Sequence, residues 1–328
     1  MSSIDSRRPL LTGVDMNTVI LVVLPIFALI LLGFVCGRTK RLGDQAASEL
    51  NKLVVWLCLP ALLFKVTATA VWAEIWQPGF IVSFGAGAML VFFATMLWRK
   101  LAGKRLVEAS VDGLSAAYAN TGYIGIPLCV MVLGPQGLQP ALISSLIIVC
   151  VMFAVGLTFV EIGLQAESNF LGALKSVALG LIKNPLVITP VVGGLWATTG
   201  IGLAEPVVTL LDMLAAATTP CALVSLGLFL SKKHSSTAEG AWPLVMIKLF
   251  VQPFVTWILA FKVFMLPPLW AHCALLLSAL PTGTGPFMVA EYYRMEAGVI
   301  AKVILLTTLG SVLTVSACIV WITHTNSI

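Results

Sequence analysis

Long runs of apolar residues, separated by short polar segments, recur along almost the whole chain. A run of about 20 apolar residues is the length that an α-helix needs to cross the hydrocarbon layer of a membrane. The pattern predicts ten such spans, at residues 17–37, 46–70, 79–98, 112–133, 139–162, 184–200, 206–230, 242–264, 270–293 and 299–322. We therefore expect an all-α membrane protein with ten transmembrane helices.

Composition agrees with a membrane location. Of the 328 residues, 59% are hydrophobic and 10% are charged, and the mean hydropathy is +1.03. Soluble domains carry about 25% charged residues, so the lipid bilayer is the expected solvent for most of this chain. The net charge of +5 comes from short basic clusters between apolar runs, which does not suggest nucleic acid as a partner. The seven cysteines have no metal-type spacing, and we expect no metal and no cofactor.

The distribution of basic residues predicts the topology. If the ten spans alternate from an outside N-terminus, fourteen of the nineteen Lys and Arg residues fall on one side of the membrane. They are Arg38, Lys40, Arg41, Lys52, Arg99, Lys100, Lys104, Arg105, Lys175, Lys183, Lys232, Lys233, Arg294 and Lys302. Cytoplasmic loops carry the excess of Lys and Arg. We expect a multi-pass protein of the inner or plasma membrane with both termini extracytoplasmic.

The chain also shows internal repetition. Matched residues lie 160 or 161 positions apart in corresponding spans. The pairs are Pro25 with Pro185, Gly33 with Gly193, Pro60 with Pro220, and Thr121-Gly122 with Thr282-Gly283. Because each repeat has five spans, an odd number, the second copy is expected upside down, an arrangement common in secondary transporters.

The repetition gives a domain plan. A polar N-terminal segment occupies residues 1–16, and the first five-helix repeat occupies residues 17–163. An amphipathic connector at residues 164–183 precedes the second, inverted repeat at residues 184–323.

The fourth and ninth predicted spans contain glycine and proline near their middle. The fourth reads Ala-Asn-Thr-Gly-Tyr-Ile-Gly-Ile-Pro at 119–127, and the ninth reads Leu-Pro-Thr-Gly-Thr-Gly-Pro at 280–286. Glycine disfavours helix, and proline removes a donor and clashes with the preceding turn. We expect each span to break and to direct the positive end of a half-helix, near 123–124 and 285–286, toward a bound anion. A pair of packing kinks is the alternative.

Several motifs resemble the auxin efflux carrier family. They are Asn-Thr-Gly-Tyr-Ile-Gly-Ile-Pro-Leu at 120–128, the second-span segment at 50–64, Ser-Leu-Gly-Leu-Phe at 225–229 and Ala-Leu-Pro-Thr-Gly at 279–283. The family includes plant auxin exporters and bacterial malonate and malate carriers. The plant exporters have a proline before the motif asparagine, where this chain has Ala119, and some have a long cytoplasmic loop that is absent here. The shortness favours a compact carrier of the bacterial type.

The resemblance implies a scaffold and a transport domain, with broken helices 4 and 9 crossing at the substrate site. Asn120 and Pro281 match the crossover residues. The predicted substrate-binding residues are Asn120, Thr121, Gly122, Pro281, Thr282, Gly283 and Thr284, and the helix-break residues are Pro127, Gly285 and Pro286. We expect a secondary active transporter of a small organic anion that works by an elevator-type alternating-access mechanism. The anion would be a malonate- or malate-like dicarboxylate or an auxin-like monocarboxylate.

Other polar residues in the spans are candidates for coupling or support. Asp212 is the best candidate for a buried carboxylate, and it would either bind H⁺ or Na⁺ or pair with a lysine. Asn51 would either contribute to the transport domain or serve helix packing. Lys65 and Lys248 are expected to extend to a membrane interface. The coupling ion stays open between H⁺ and Na⁺, and a homodimer is one alternative for the oligomeric state.

Three other functions are alternatives to an organic-anion carrier. A membrane-embedded enzyme is disfavoured because the chain has no H-E-x-x-H and no G-x-S-x-G motif. A passive anion channel would be expected to show rings of charges or carbonyl groups along an open pore. A sodium-coupled bile-acid-type symporter would share the crossing of broken helices and stays an alternative.

Overall fold

A computed structural model of the protein describes residues 16–43, 45–71, 76–164, 185–231 and 240–326. These residues are helical apart from short connections, and no β-strand occurs among them. The all-α prediction is therefore confirmed for the described chain. The predicted polar N-terminal segment lies outside the described residues except for Met16, and the amphipathic connector lies outside them except for Leu164.

We number the helices in chain order. They are α1 (Met16–Arg38), α2 (Ala46–Ala68), α3 (Pro78–Leu101), α4 (Leu106–Ala117), α5 (Ile126–Leu133), α6 (Pro135–Leu164), α7 (Pro185–Thr198), α8 (Glu205–Ser231), α9 (Ala241–Val263), α10 (Pro268–Ser278), α11 (Gly285–Tyr292) and α12 (Gly298–Asn326). Within the described ranges, six are long and apolar enough to cross a membrane, namely α2, α3, α6, α8, α9 and α12. Helix α4 begins six residues before the predicted start at 112, so that Asp112 lies inside a helix and pairs with Arg99 at 2.5 Å.

Prolines follow widened helical turns at three places, in α2, just before α5 and in α9. Three π-helical turns each end two residues before a proline: Val54–Cys58 before Pro60, Thr121–Gly125 before Pro127 and Ile247–Val251 before Pro253. Proline has no N–H for the preceding turn and its ring crowds the carbonyl four residues earlier. A widened turn at this point relieves the crowding, and such turns are frequent at functional sites.

The helices pack in two groups. Helices α1, α2, α7 and α8 pack mainly on one another, through the pairs α1–α8, α2–α7 and α2–α8. Helices α3, α4, α5, α6, α9, α10, α11 and α12 form the second group, in which α4 packs on α3, α6 and α11, and α9 packs on α3, α10 and α12. The contacts between the groups are fewer and involve mostly α1, α2, α5, α11 and α12. This division leaves a boundary between two bodies within one chain.

Two glycines bring α1 and α8 into close contact. A Cβ atom added at Gly33 would lie 2.3 Å from the Val224 carbonyl oxygen, and one added at Gly227 would lie 2.0 Å from that of Ile30. Backbones that approach this closely leave no room for any side chain. Small residues at helix interfaces serve the same purpose in many membrane proteins, because apolar surface alone gives little driving force for association in lipid.

We expect Gly227→Ala to lower the thermal stability of the purified protein in detergent. The methyl group meets the backbone of α1, so the helices must separate, and overpacking of this kind costs about 1–3 kcal/mol. Gly202→Ala is the matched control, because a Cβ at Gly202 meets no atom within 4 Å. Equal melting temperatures for the two variants would show that the α1–α8 contact is not constrained in this way.

Candidate functional site

Two helical stretches are interrupted in the second helix group. Helix α4 ends at Ala117 and helical structure resumes at Thr121, while α10 ends at Ser278 and α11 begins at Gly285. The glycines and prolines of the 119–127 and 280–286 segments explain the interruptions, since they weaken or block a continuous helix. The two non-helical segments, 118–120 and 279–284, lie against each other.

Backbone hydrogen bonds join the two segments. Ala119 and Thr282 form an antiparallel bridge, in which the Asn120 N–H donates to the Pro281 carbonyl at 2.9 Å. The Gly283 N–H donates to the Tyr118 carbonyl, also at 2.9 Å. An unpaired backbone group is costly away from water, and these bonds pair backbone groups that the two non-helical segments would otherwise leave unsatisfied. We call this contact the crossing.

Thr282 fastens the crossing to its neighbours. Its hydroxyl donates to the Ser115 carbonyl at 2.7 Å, and its backbone N–H donates to the hydroxyl oxygen of Thr307 in α12 at 3.1 Å. The side chain is buried, with 1% of its surface exposed. The Thr282 hydroxyl is therefore engaged within the protein rather than on a cavity wall.

A cavity of about 140 Å³ lies at the crossing, between the two helix groups. Predicted site residues on its wall are Asn120, Thr121, Gly122, Gly283, Thr284 and Gly285; Pro281, Thr282, Pro127 and Pro286 do not line it. The rest of the wall consists mostly of apolar residues from α2 and α6, such as Leu59, Leu63 and Leu146. No charged side chain of the described residues lines the cavity.

Two hydroxyl groups at this cavity have no hydrogen-bond partner among the described residues. They belong to Thr121, at the crossing, and to Thr218, in α8 of the first helix group. A buried polar atom without a partner is rare and needs an explanation, and a polar ligand in the cavity would supply one. Thr218 is not among the site residues that the sequence predicts. Its position two residues before Pro220, one of the prolines matched between the repeats, is the sequence feature that could have indicated it.

The helix ends at the crossing are polarised. The first N–H groups of a helix have no partner within it, and the N-terminus carries a partial positive charge. Two such ends meet the cavity, at Thr121–Gly122 and at Gly285. The Thr121 N–H already donates to the Ala119 carbonyl at 2.8 Å, and the N–H groups of Ile124 and Gly125 donate to the Asn120 carbonyl. The arrangement favours an anion over a cation in the cavity.

Lys248 lies behind the crossing, which corrects the expectation that it extends to an interface. Its side chain is completely buried in the widened turn of α9. The ammonium donates to the Gln252 side-chain oxygen at 2.5 Å and to the Ser278 carbonyl at 2.9 Å. The Gln252 amide donates in turn to the Ala117 carbonyl at 2.8 Å. These bonds keep the lysine inside because they offer it acceptors that lipid does not.

The two predicted coupling or support residues lie away from the cavity. Asp212 is not buried, contrary to expectation, since 52% of its side chain is exposed and it forms an ion pair with Lys65 of α2. The exposure arises because Asp212 lies on an outward face of α8, where Leu210 and Met213 are also exposed. Asn51 is buried, and its amide lies 3.5 Å from the Met288 carbonyl of α11, so it links the two helix groups.

Comparison with known proteins shows similarity over nearly the whole chain. Residues 18–319 match the family described as Membrane transport protein. A protein of Rhizobium meliloti named "Putative malonate transporter" is 30% identical over 302 residues, which cover 90% of this chain and 92% of the relative. An uncharacterized transporter of Methanocaldococcus jannaschii is 25% identical, covering 90% and 96%. An uncharacterized transporter of Escherichia coli is 27% identical, covering 70% and 74%.

We expect Thr307→Val to destabilise the crossing. The substitution removes the acceptor of the Thr282 N–H and leaves a buried donor unpaired, which costs about 1–3 kcal/mol. Thr308→Val is the matched control: Thr308 is equally buried on α12 and also donates to the Ile304 carbonyl, yet it accepts nothing from the crossing. The melting temperatures of the two variants are measured by thermal unfolding in detergent. A melting temperature no lower for Thr307→Val than for Thr308→Val would contradict the role of Thr307.

Proposed function

Since the chain belongs to the Membrane transport protein family, as the resemblance to auxin efflux carriers predicted, we propose that this multi-pass membrane protein is a secondary active transporter of a small organic anion. The family and the relatives named above are transporters rather than enzymes. The likeness to the R. meliloti protein supports a malonate- or malate-like dicarboxylate as the substrate, with an auxin-like monocarboxylate as the alternative.

The observation that carries the proposal is the chemistry of the cavity at the crossing. It offers helix N-termini and two unpartnered hydroxyls, and no charged side chain lines it within the described chain. A desolvated carboxylate needs hydrogen-bond donors, and backbone N–H groups supply them with a favourable dipole. The absence of a fixed charge on the wall allows binding without trapping the substrate. Asn120, Thr121, Gly122, Gly283 and Thr284 at the crossing, and Thr218 on the facing wall, are the proposed contacts.

The remaining predicted residues have supporting roles in this proposal. Pro281 and Thr282 hold the crossing through its backbone bonds, and Pro127, Gly285 and Pro286 set the points at which helix resumes. Asn51 and the Lys65–Asp212 pair act as supports outside the cavity. The proposed topology has ten transmembrane helices in two inverted five-helix repeats, at residues 17–163 and 184–323, with both termini extracytoplasmic. The basic-residue bias supports that orientation.

The two helix groups support an elevator-type mechanism. The crossing belongs to one group, while α2 and Thr218 of the other group form the facing wall. Movement of one group past the other would carry an anion held at the crossing from one side of the membrane to the other. A cavity at a boundary between two bodies favours alternating access over a passive channel, whose pore would run through one body.

The function is tested by uptake into proteoliposomes with a panel of mono- and dicarboxylates. The proposal expects saturable uptake of malonate or malate, competition by related dicarboxylates, and accumulation that depends on an imposed ion gradient. Uptake that never saturates with substrate would favour the channel. No uptake or exchange of any acid in the panel would reject an organic-anion carrier.

We expect Asn120→Ala and Thr218→Val each to weaken substrate binding by about ten- to a hundred-fold. Each loses a hydrogen bond to a charged group, which is worth about 1.5–3 kcal/mol. Ser144→Ala is the matched control, because the Ser144 hydroxyl is also buried without a partner among the described residues and does not line the cavity. Binding by the solubilised variants is measured calorimetrically, with melting temperatures as the test of folding. Parental affinity in both site variants would place the substrate elsewhere.

A further inference from the structure

Lys248 is a cation enclosed by backbone and amide oxygens at the centre of the second helix group. All of its surface is buried, and its two acceptors are the Gln252 side-chain oxygen and the Ser278 carbonyl. The orientation of the Gln252 amide is set independently, because its NH₂ group donates to the Ala117 carbonyl. The oxygen of Gln252 must then point at the lysine. Lys248, Gln252, Ser278 and Ala117 thus form a connected network between α9, α10 and α4.

The network lies at the C-terminal ends of two helices. Ala117 is the last residue of α4, and Ser278 is the last residue of α10. A helix C-terminus carries about −0.5 elementary charge, so two such ends together present about −1. A single ammonium group balances that charge. The helix N-termini at Thr121 and Gly285 carry partial positive charge. The crossing therefore has a negative side, formed by the two C-termini beside Lys248, and a positive side, formed by the two N-termini at the cavity.

In transporters with discontinuous helices, the C-terminal ends of half-helices and unwound carbonyls commonly hold the coupling Na⁺ or H⁺. In this chain, the cation beside the Ser278 carbonyl is part of the protein itself, namely the Lys248 ammonium group. We propose that the Lys248 ammonium is a tethered replacement for a coupling metal cation, so that the crossing forms its anion site without Na⁺. The inference rests on the proposed transport function for its mechanistic meaning, while the occupied cation position can be tested without any substrate.

The parent protein gives the first test. Its melting temperature and its initial rate of dicarboxylate uptake should be the same when Na⁺ is replaced by choline, because no Na⁺ position is vacant at the crossing. A melting temperature that rises with Na⁺, or uptake that requires Na⁺ on one side of the membrane, would overturn the proposal. This arm needs no variant and therefore does not depend on how well an altered protein folds.

Removal of the tether gives the second test. Lys248→Ala should lower the melting temperature and reduce uptake by about ten-fold or more, since it leaves two buried oxygens, those of the Gln252 side chain and the Ser278 backbone, facing a space without a cation. Na⁺ or methylammonium, which can enter that space, should raise the melting temperature of Lys248→Ala and restore part of the uptake. Lys248→Met fills the space with an apolar chain, so it should show the loss without the recovery.

Lys262→Ala is the matched control on the same helix. Lys262 lies over the Trp257 ring at the far end of α9, and its variant should respond to neither cation. A Lys248→Ala protein that folds and is indifferent to both cations would overturn the proposal, as would parental uptake by Lys248→Met. A cation-dependent melting temperature with no uptake of any acid by the parent would instead retain the tethered cation and reject the proposed transport function.

Discussion

The need to pair backbone polar groups away from water governs this structure. A helix that breaks inside a membrane exposes carbonyl groups at one end and N–H groups at the other, and each costs free energy unless a partner is found. The crossing pairs Asn120 with Pro281 and Gly283 with Tyr118, so two breaks that would be unfavourable singly are compatible together. The carbonyl groups of Ala117 and Ser278, the last residues of α4 and α10, accept hydrogen bonds from side chains of α9. The N-terminal helix ends at Gly122 and Gly285 line the cavity, where a ligand would meet their positive dipole.

Much of the fold follows from the apolar pattern, because the length of an apolar run is a local property. The predicted spans at 46–70, 206–230 and 242–264 correspond closely to Ala46–Ala68, Glu205–Ser231 and Ala241–Val263. The surroundings of single polar residues are a tertiary property and do not follow from that pattern. Lys248 and Lys262 both occur in the apolar stretch of α9, yet one is completely buried against two helix ends and the other lies over a tryptophan ring.

The sequence indicates which segments form the candidate site, but it does not indicate which of their side chains line the cavity. Glycine and proline disfavour helix, and the non-helical segments 118–120 and 279–284 lie at the two motifs that contain them. Which way each side chain turns in a non-helical segment depends on its pairing partner. Thr282 and Thr284 are two residues apart in one motif. The Thr282 hydroxyl donates to the Ser115 carbonyl, whereas Thr284 lines the cavity. Thr218 reaches the cavity only because α8 packs beside α2.

The two walls of the cavity differ in a way that bears on the proposed motion. The crossing presents backbone donors and hydroxyls, whereas the α2 wall consists of Leu59, Leu62, Leu63 and Val66. An anion bound to donors on one body and touching mostly apolar side chains on the other loses few polar contacts when the bodies slide. The glycine contact between α1 and α8 and the Lys248 network act within one group each, so neither opposes sliding. Among the described residues, the polar interactions named here thus lie within each body, and the Asn51–Met288 contact is the exception that links the two bodies. The boundary is therefore the surface along which an elevator motion would require the least disruption.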